Sequence, residues 1–94
     1  MTPFSVHTTP RYERLSRKLL KGHSELRVLQ DGVRDILQAD PANRAGVHPI
    51  RKLEGVPLGQ GQWRLSLGRF RFRYDIFGHQ VWLLYCGLRR EDTY

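Results

Sequence analysis

Cysteine is almost missing: the 94 residues hold one, Cys86. A single thiol excludes an internal disulfide framework and a cysteine-based zinc site, and the chain reads as a cytoplasmic protein. Long apolar runs are lacking too. No stretch nears the ~20 apolar residues a membrane span needs. Met1 to Pro10 shows no basic segment followed by an apolar run, so no secretory signal and no membrane partner are expected. Acidic residues thin out in the second half. From Gly55 to Arg90 only Asp75 stands against Arg64, Arg69, Arg71, Arg73, Arg89 and Arg90. Lysine occurs only at positions 18, 21 and 52. His7, His23, His48 and His79 are scattered without metal-ligand spacing, so no metal and no cofactor are expected. Gly55, Gly59 and Gly61 make no phosphate-binding loop, because no strand-to-helix turn follows them.

What is present fits one soluble globular domain over residues 1–94: 39% hydrophobic residues, 11% aromatic and 27% charged. Sixteen Lys and Arg against nine Asp and Glu give a net charge of +7. Such a balance suits a polyanion or an acidic protein partner, the plain alternative being charge that serves solubility alone. The excess of arginine over lysine favours forked contacts to phosphate.

The apolar pattern predicts a short strand over Phe4–Thr8, then a helix entered through Thr9-Pro10 and carrying Tyr12, Leu15 and Leu19 on one side. Gly22 is the expected stop. Ser24 is the expected cap of a second helix with Leu26, Leu29, Val33, Ile36 and Leu37 as its stripe, ending near Asp40-Pro41. Residues 42–61 read as a connection rich in Pro and Gly, with a short extended piece at Ile50–Leu53. Three strands follow. Trp63, Leu65 and Leu67 alternate in the first. Phe70, Phe72, Tyr74 and Ile76 alternate with arginines and Asp75 in the second. Val81–Cys86 is apolar throughout and reads as an interior strand. The expected architecture is therefore α+β: an N-terminal strand and a two-helix hairpin packed on one face of an antiparallel sheet of about four strands.

Period-2 geometry then places Arg69, Arg71 and Arg73 together on the sheet face opposite the helices. A hairpin adds Arg64 and Ser66 to it, and Arg89 and Arg90 leave the neighbouring strand. Like charges side by side oppose folding, so the cluster needs a reason beyond folding: an anion-binding surface, or the alternative of a solvated outer face.

Several segments carry a resemblance. Lys52-Leu53-Glu54-Gly55 precedes the strand Trp63-Arg64-Leu65-Ser66-Leu67. The strand Arg69-Phe70-Arg71-Phe72-Arg73-Tyr74-Asp75-Ile76 follows, and Gly87-Leu88-Arg89-Arg90-Glu91-Asp92-Thr93-Tyr94 ends the chain. In this order and spacing they resemble the RelE/ParE superfamily of toxins from type II toxin-antitoxin systems. The resemblance covers residues 50–94 by motif and the whole chain by element order. It implies a compact toxin fold and a cognate antitoxin that wraps it. The RelE-like branch cleaves mRNA on the ribosome, and the ParE-like branch inhibits DNA gyrase.

By that resemblance Arg64, Arg71, Arg89 and Tyr94 match positions used by RelE-like ribonucleases, with Lys52, Arg69, Arg73 and Arg90 as further RNA contacts. The chemistry implied is metal-independent attack of the RNA 2′-OH on the adjacent phosphate. Arg64 and Arg71 would hold that phosphate. Arg89 would stabilise the developing charge or the leaving 5′-oxygen, and Tyr94 would stack on a base or transfer a proton. Ser66 departs from the pattern, standing where several members carry a second basic residue. No Glu or His in the matched strands is an obvious base. A gyrase inhibitor, or a silent member acting only through its antitoxin, are the alternatives.

Overall fold

The computed structural model describes residues 3–89. Its elements run β1 (Ser5–Thr8), α1 (Pro10–Leu20), α2 (Leu26–Ala39), β2 (Ile50–Lys52), β3 (Trp63–Leu67), β4 (Phe70–Phe77) and β5 (Gln80–Leu88). Thr9 starts α1 as expected. Its extended backbone lets Oγ1 accept the Tyr12 amide at 3.2 Å, and the same hydroxyl donates to the Leu83 carbonyl at 2.9 Å. One side chain thus caps the helix and ties it to β5. The expected Ser24 cap does not form. Glu25 takes the N-cap position of α2 in αR backbone with no side-chain cap bond, because a capping oxygen needs extended backbone to reach the first helical amides.

The sheet departs from expectation in two ways. It has five strands in the order β1-β5-β4-β3-β2, since the extended piece at Ile50–Lys52 pairs antiparallel with β3. It is also mixed, because β1 runs parallel to β5, with Val6 opposite Val81 and Thr8 opposite Leu83. The chain leaves β1 at one edge, crosses one face as two helices and returns at the other edge as β2. That long crossover is what permits a parallel neighbour. β5 becomes interior where β1 covers it, as its unbroken apolar run predicts.

The core lies between the helices and this face. Tyr12, Leu26, Val33 and Leu37 are buried against Leu65, Phe70, Phe72, Tyr74, Val81 and Leu83. Polar atoms entering the core find partners. The Tyr74 hydroxyl donates to the Pro41 carbonyl at 2.7 Å, and Gln30 Nε2 donates to the Tyr12 hydroxyl at 3.2 Å, linking α2 to α1. Burial pushes the Tyr12 phenol up to about 12 and the Cys86 thiol up to about 12. Cys86 is packing, opposite Phe72 on the helix-covered face. Among the described residues, no helix is long and apolar enough to cross a membrane.

Candidate nucleic-acid interface

The pairing register fixes which side chains share the face away from the helices. Arg51 sits opposite Arg64, Arg64 opposite Arg73, and Arg73 opposite Tyr85. The next row joins Ser66, Arg71 and Gly87. Arg64 and Arg71 are therefore diagonal neighbours across β3 and β4, a spacing of about 7–8 Å, within reach of one phosphate for side chains this long. Arg89 is exposed just beyond β5, its amide bonded to the Arg69 carbonyl at 2.7 Å. Its backbone lies level with Arg69, two positions past the Arg71–Gly87 pair. The structure brings Arg64 and Arg71 together on this face and leaves Arg89 just beyond the end of β5.

The other expected contacts go elsewhere. Arg69 sits in the β3–β4 turn, not on the face with Arg71. Its Nη1 lies 3.5 Å from His23 Nδ1 and 3.9 Å from Glu25 Oε2, in the connection between the helices. Lys52 shares a row with Trp63 and Tyr74, which belongs to the helix side of the sheet. Its Nζ stands 5.5 Å from the Trp63 ring centre. Arg90 and Tyr94 lie outside the described residues.

Arg73 does point to the expected face, but its guanidinium is engaged with the chain itself. Nε donates to the Gly61 carbonyl at 3.1 Å, and Nη2 donates to Gln60 and Gly61 at 3.0 and 2.9 Å. Two residues on, Asp75 completes the arrangement. It is 1% exposed, and its carboxylate accepts the amides of Gly59, Gly61 and Gln62 at 2.9, 3.1 and 2.9 Å. One side chain holds the carbonyls of the 59–62 loop and the other holds its amides. Gly59 and Gly61 have φ of +100° and +84°, which turn successive amides toward one acceptor. Gly61 also packs closely, because a Cβ there would lie 3.0 Å from Arg73 Cβ.

This clamp changes the electrostatics. Arg73 and Asp75 are about 6.6 Å apart along β4, so their charges largely offset each other at a distance. Arg73 therefore adds little net charge to the face, on which Arg51 and Arg64 stand in the same row. In the sequence Asp75 stands as the lone acid of an arginine stretch. The alternation of charge at i and i+2 beside a Gly-rich loop was the available signal for the clamp.

Tyr85 was also missed, because it sits in an apolar run. A bulge at Arg73/Tyr74 pairs Arg73 with Tyr85 and Tyr74 with Leu83, leaving Leu84 as the extra residue. The bulge places Tyr85 on the arginine face. Its ring lies over Gly87, and the Tyr85 hydroxyl occupies the space a Gly87 side chain would need. The phenol oxygen is thereby carried into the row of Arg71. The Arg11 guanidinium stands 5.7 Å from the ring centre on the α1 side.

Among the described residues, no three His, Cys, Asp or Glu side chains are grouped to hold a metal ion. Comparison with protein-family models, with curated proteins and with solved structures finds no match for this chain.

Proposed function

We propose that the protein binds single-stranded RNA on the solvent face of its sheet and cleaves it as a toxin of the RelE type, acting on mRNA at the ribosome. The observation that carries this reading is the convergence of Arg64 and Arg71 on one face, with the Tyr85 hydroxyl placed across Gly87 in the same row. Two guanidiniums at diagonal spacing suit the two non-bridging oxygens of a phosphodiester. Held there, the phosphate meets attack by the neighbouring 2′-OH with the developing negative charge already opposed. Arg89, just beyond β5, would stabilise the leaving 5′-oxygen, the role the resemblance implies for it.

Proton transfer is the open part of the site, and Tyr85 supports a specific answer. A phenol beside fixed positive charge is a candidate to orient the 2′-OH or to pass its proton. The resemblance gives the same role to Tyr94, and Tyr85 is the phenol that the sheet register carries beside Arg71. The basic face also suits an antitoxin that presents acidic and apolar side chains, since complementary charge steers and specifies such an inhibitor.

The test is cleavage of a reporter mRNA in a reconstituted translation system, mapped by primer extension. Wild-type protein is expected to cut only with ribosomes present. Arg71→Ala and Arg64→Ala are expected to abolish the cuts, and Tyr85→Phe to slow them without weakening RNA binding. Folded wild type that binds RNA yet leaves mRNA intact with ribosomes would overturn the nuclease reading. A protein that arrests gyrase supercoiling instead belongs to the other branch.

A further inference from the structure

On the same solvent face, at the opposite end from Arg71, two aromatic rings stand together. His7 of β1 and Trp82 of β5 are cross-strand partners, and their rings stack 4.5 Å apart at 20°. Polar contacts hold both in place. His7 Nε2 lies 3.0 Å from Ser5 Oγ, and Trp82 Nε1 donates to Gln80 Oε1 at 3.3 Å. Neither ring belongs to the core, and both are half-exposed. An oriented aromatic pair outside the core loses little freedom when a third flat ring is added.

Its position relative to the charges gives it a use. Trp82 pairs with Asp75, whose carboxylate anchors the 59–62 loop, so the loop borders the pair on the β4 side. Along β5 the same face continues from Trp82 past Tyr85 to Gly87, beside Arg71. The separation from Trp82 to Gly87 is five residues, about 16 Å of strand. A strand of RNA whose phosphate sits on Arg64 and Arg71 would therefore reach the aromatic pair with a flanking nucleotide, not with those at the cut.

We propose that the His7–Trp82 pair is a base-stacking subsite for a nucleotide flanking the phosphate site, on single-stranded RNA running along the outer face of β5. The inference rests on the RNA reading above and extends it. Positive charge at one end of the strip and stacked aromatics at the other is the combination that single-stranded nucleic acid uses, phosphates on cations and bases on rings.

The experiment separates this subsite from the RNA reading itself. The protein's other tryptophan, Trp63, is on the opposite side of the sheet under Lys52. A Trp63→Phe background thus leaves Trp82 as the reporter. The probe is a 2′-O-methyl hexanucleotide, which cannot be cleaved by its own 2′-OH, compared with the corresponding dinucleotide. The hexanucleotide is expected to quench Trp82 fluorescence. Trp82→Ala is expected to weaken its binding by about tenfold, with Trp82→Phe recovering most of the loss. The dinucleotide should be indifferent to both substitutions. The salt dependence of binding should be unchanged by Trp82→Ala, because stacking displaces no counterions, whereas Arg71→Ala should lessen it.

Salt-dependent hexanucleotide binding without quenching, and with equal affinity in Trp82→Ala, would overturn the subsite alone. No binding by the wild type at low salt would overturn the RNA reading and the subsite with it.

Discussion

Asp75→Asn isolates the clamp that shapes the solvent face. Asp75 Oδ2 accepts the Gly59 and Gly61 amides and Oδ1 accepts that of Gln62. Asparagine keeps one oxygen, so at best the Gly59 and Gly61 bonds survive as neutral ones. The Gln62 amide would then face an NH2 group in a site that is 1% exposed. Losing one charge-assisted bond is worth about 1.5–3 kcal/mol, and an unsatisfied buried amide adds to that. Asparagine is cheaper to desolvate than a carboxylate, which offsets part of the loss. The expected net cost is about 2–3 kcal/mol, a large share of the ~5–15 kcal/mol that stabilises a domain of this kind.

For a chain of this length that cost corresponds to a fall in Tm on the order of 10–20 °C. Urea unfolding should show a lower midpoint with unchanged slope, since the compactness of the end states is the same. Arg73→Ala should destabilise through the same loop, so the double variant should lose less than the sum of the singles. A Tm within about 2 °C of wild type for Asp75→Asn would refute the reasoning, as would strict additivity with Arg73→Ala. Either would mean that the 59–62 loop holds its shape without the clamp.

Two further outcomes follow from burial. Gly87→Ala places a Cβ against the Tyr85 ring, whose Cζ would lie at 2.8 Å, so it should cost about 1–3 kcal/mol in urea unfolding. The penalty should largely vanish in a Tyr85→Ala background, and equal penalties in both backgrounds would contradict the packing described. Cys86, with its thiol pushed by burial from 9.0 up to about 12, should alkylate at pH 8.5 on the order of a thousandfold more slowly folded than in urea. The folded thiol keeps its proton where the unfolded one releases it, so its contribution to stability is complete below pH 9 and is lost as the pH rises toward 12. Equal alkylation rates in the two states would place the thiol at the surface.

The elements were legible where one local rule decided them. Thr9-Pro10 starts α1 because capping and proline's fixed φ act within one turn. Alternation in Phe70–Ile76 names the inward face because strand geometry has a period of two. Ser24 failed as a cap because the tight link after α1 already sets αR backbone at Glu25. Arg69 failed as a face residue because the hairpin turn interrupts the alternation one position before β4 begins, leaving its side chain to meet Glu25.

The sequence by itself determined a basic α+β domain, its helices and main strands, and the placement of Arg64 and Arg71 on one face. These follow from composition, from periodicity within each segment and from the tight turn at Gly68 that joins two alternating strands. Tertiary structure alone decided the parallel pairing of β1 with β5, the Leu84 bulge that carries Tyr85 over Gly87, and the neutral Arg73–Asp75 clamp. It alone stacked His7 on Trp82. Each of these joins residues distant along the chain. Their energies depend on which backbone arrives opposite which side chain, and no local pattern encodes that arrival.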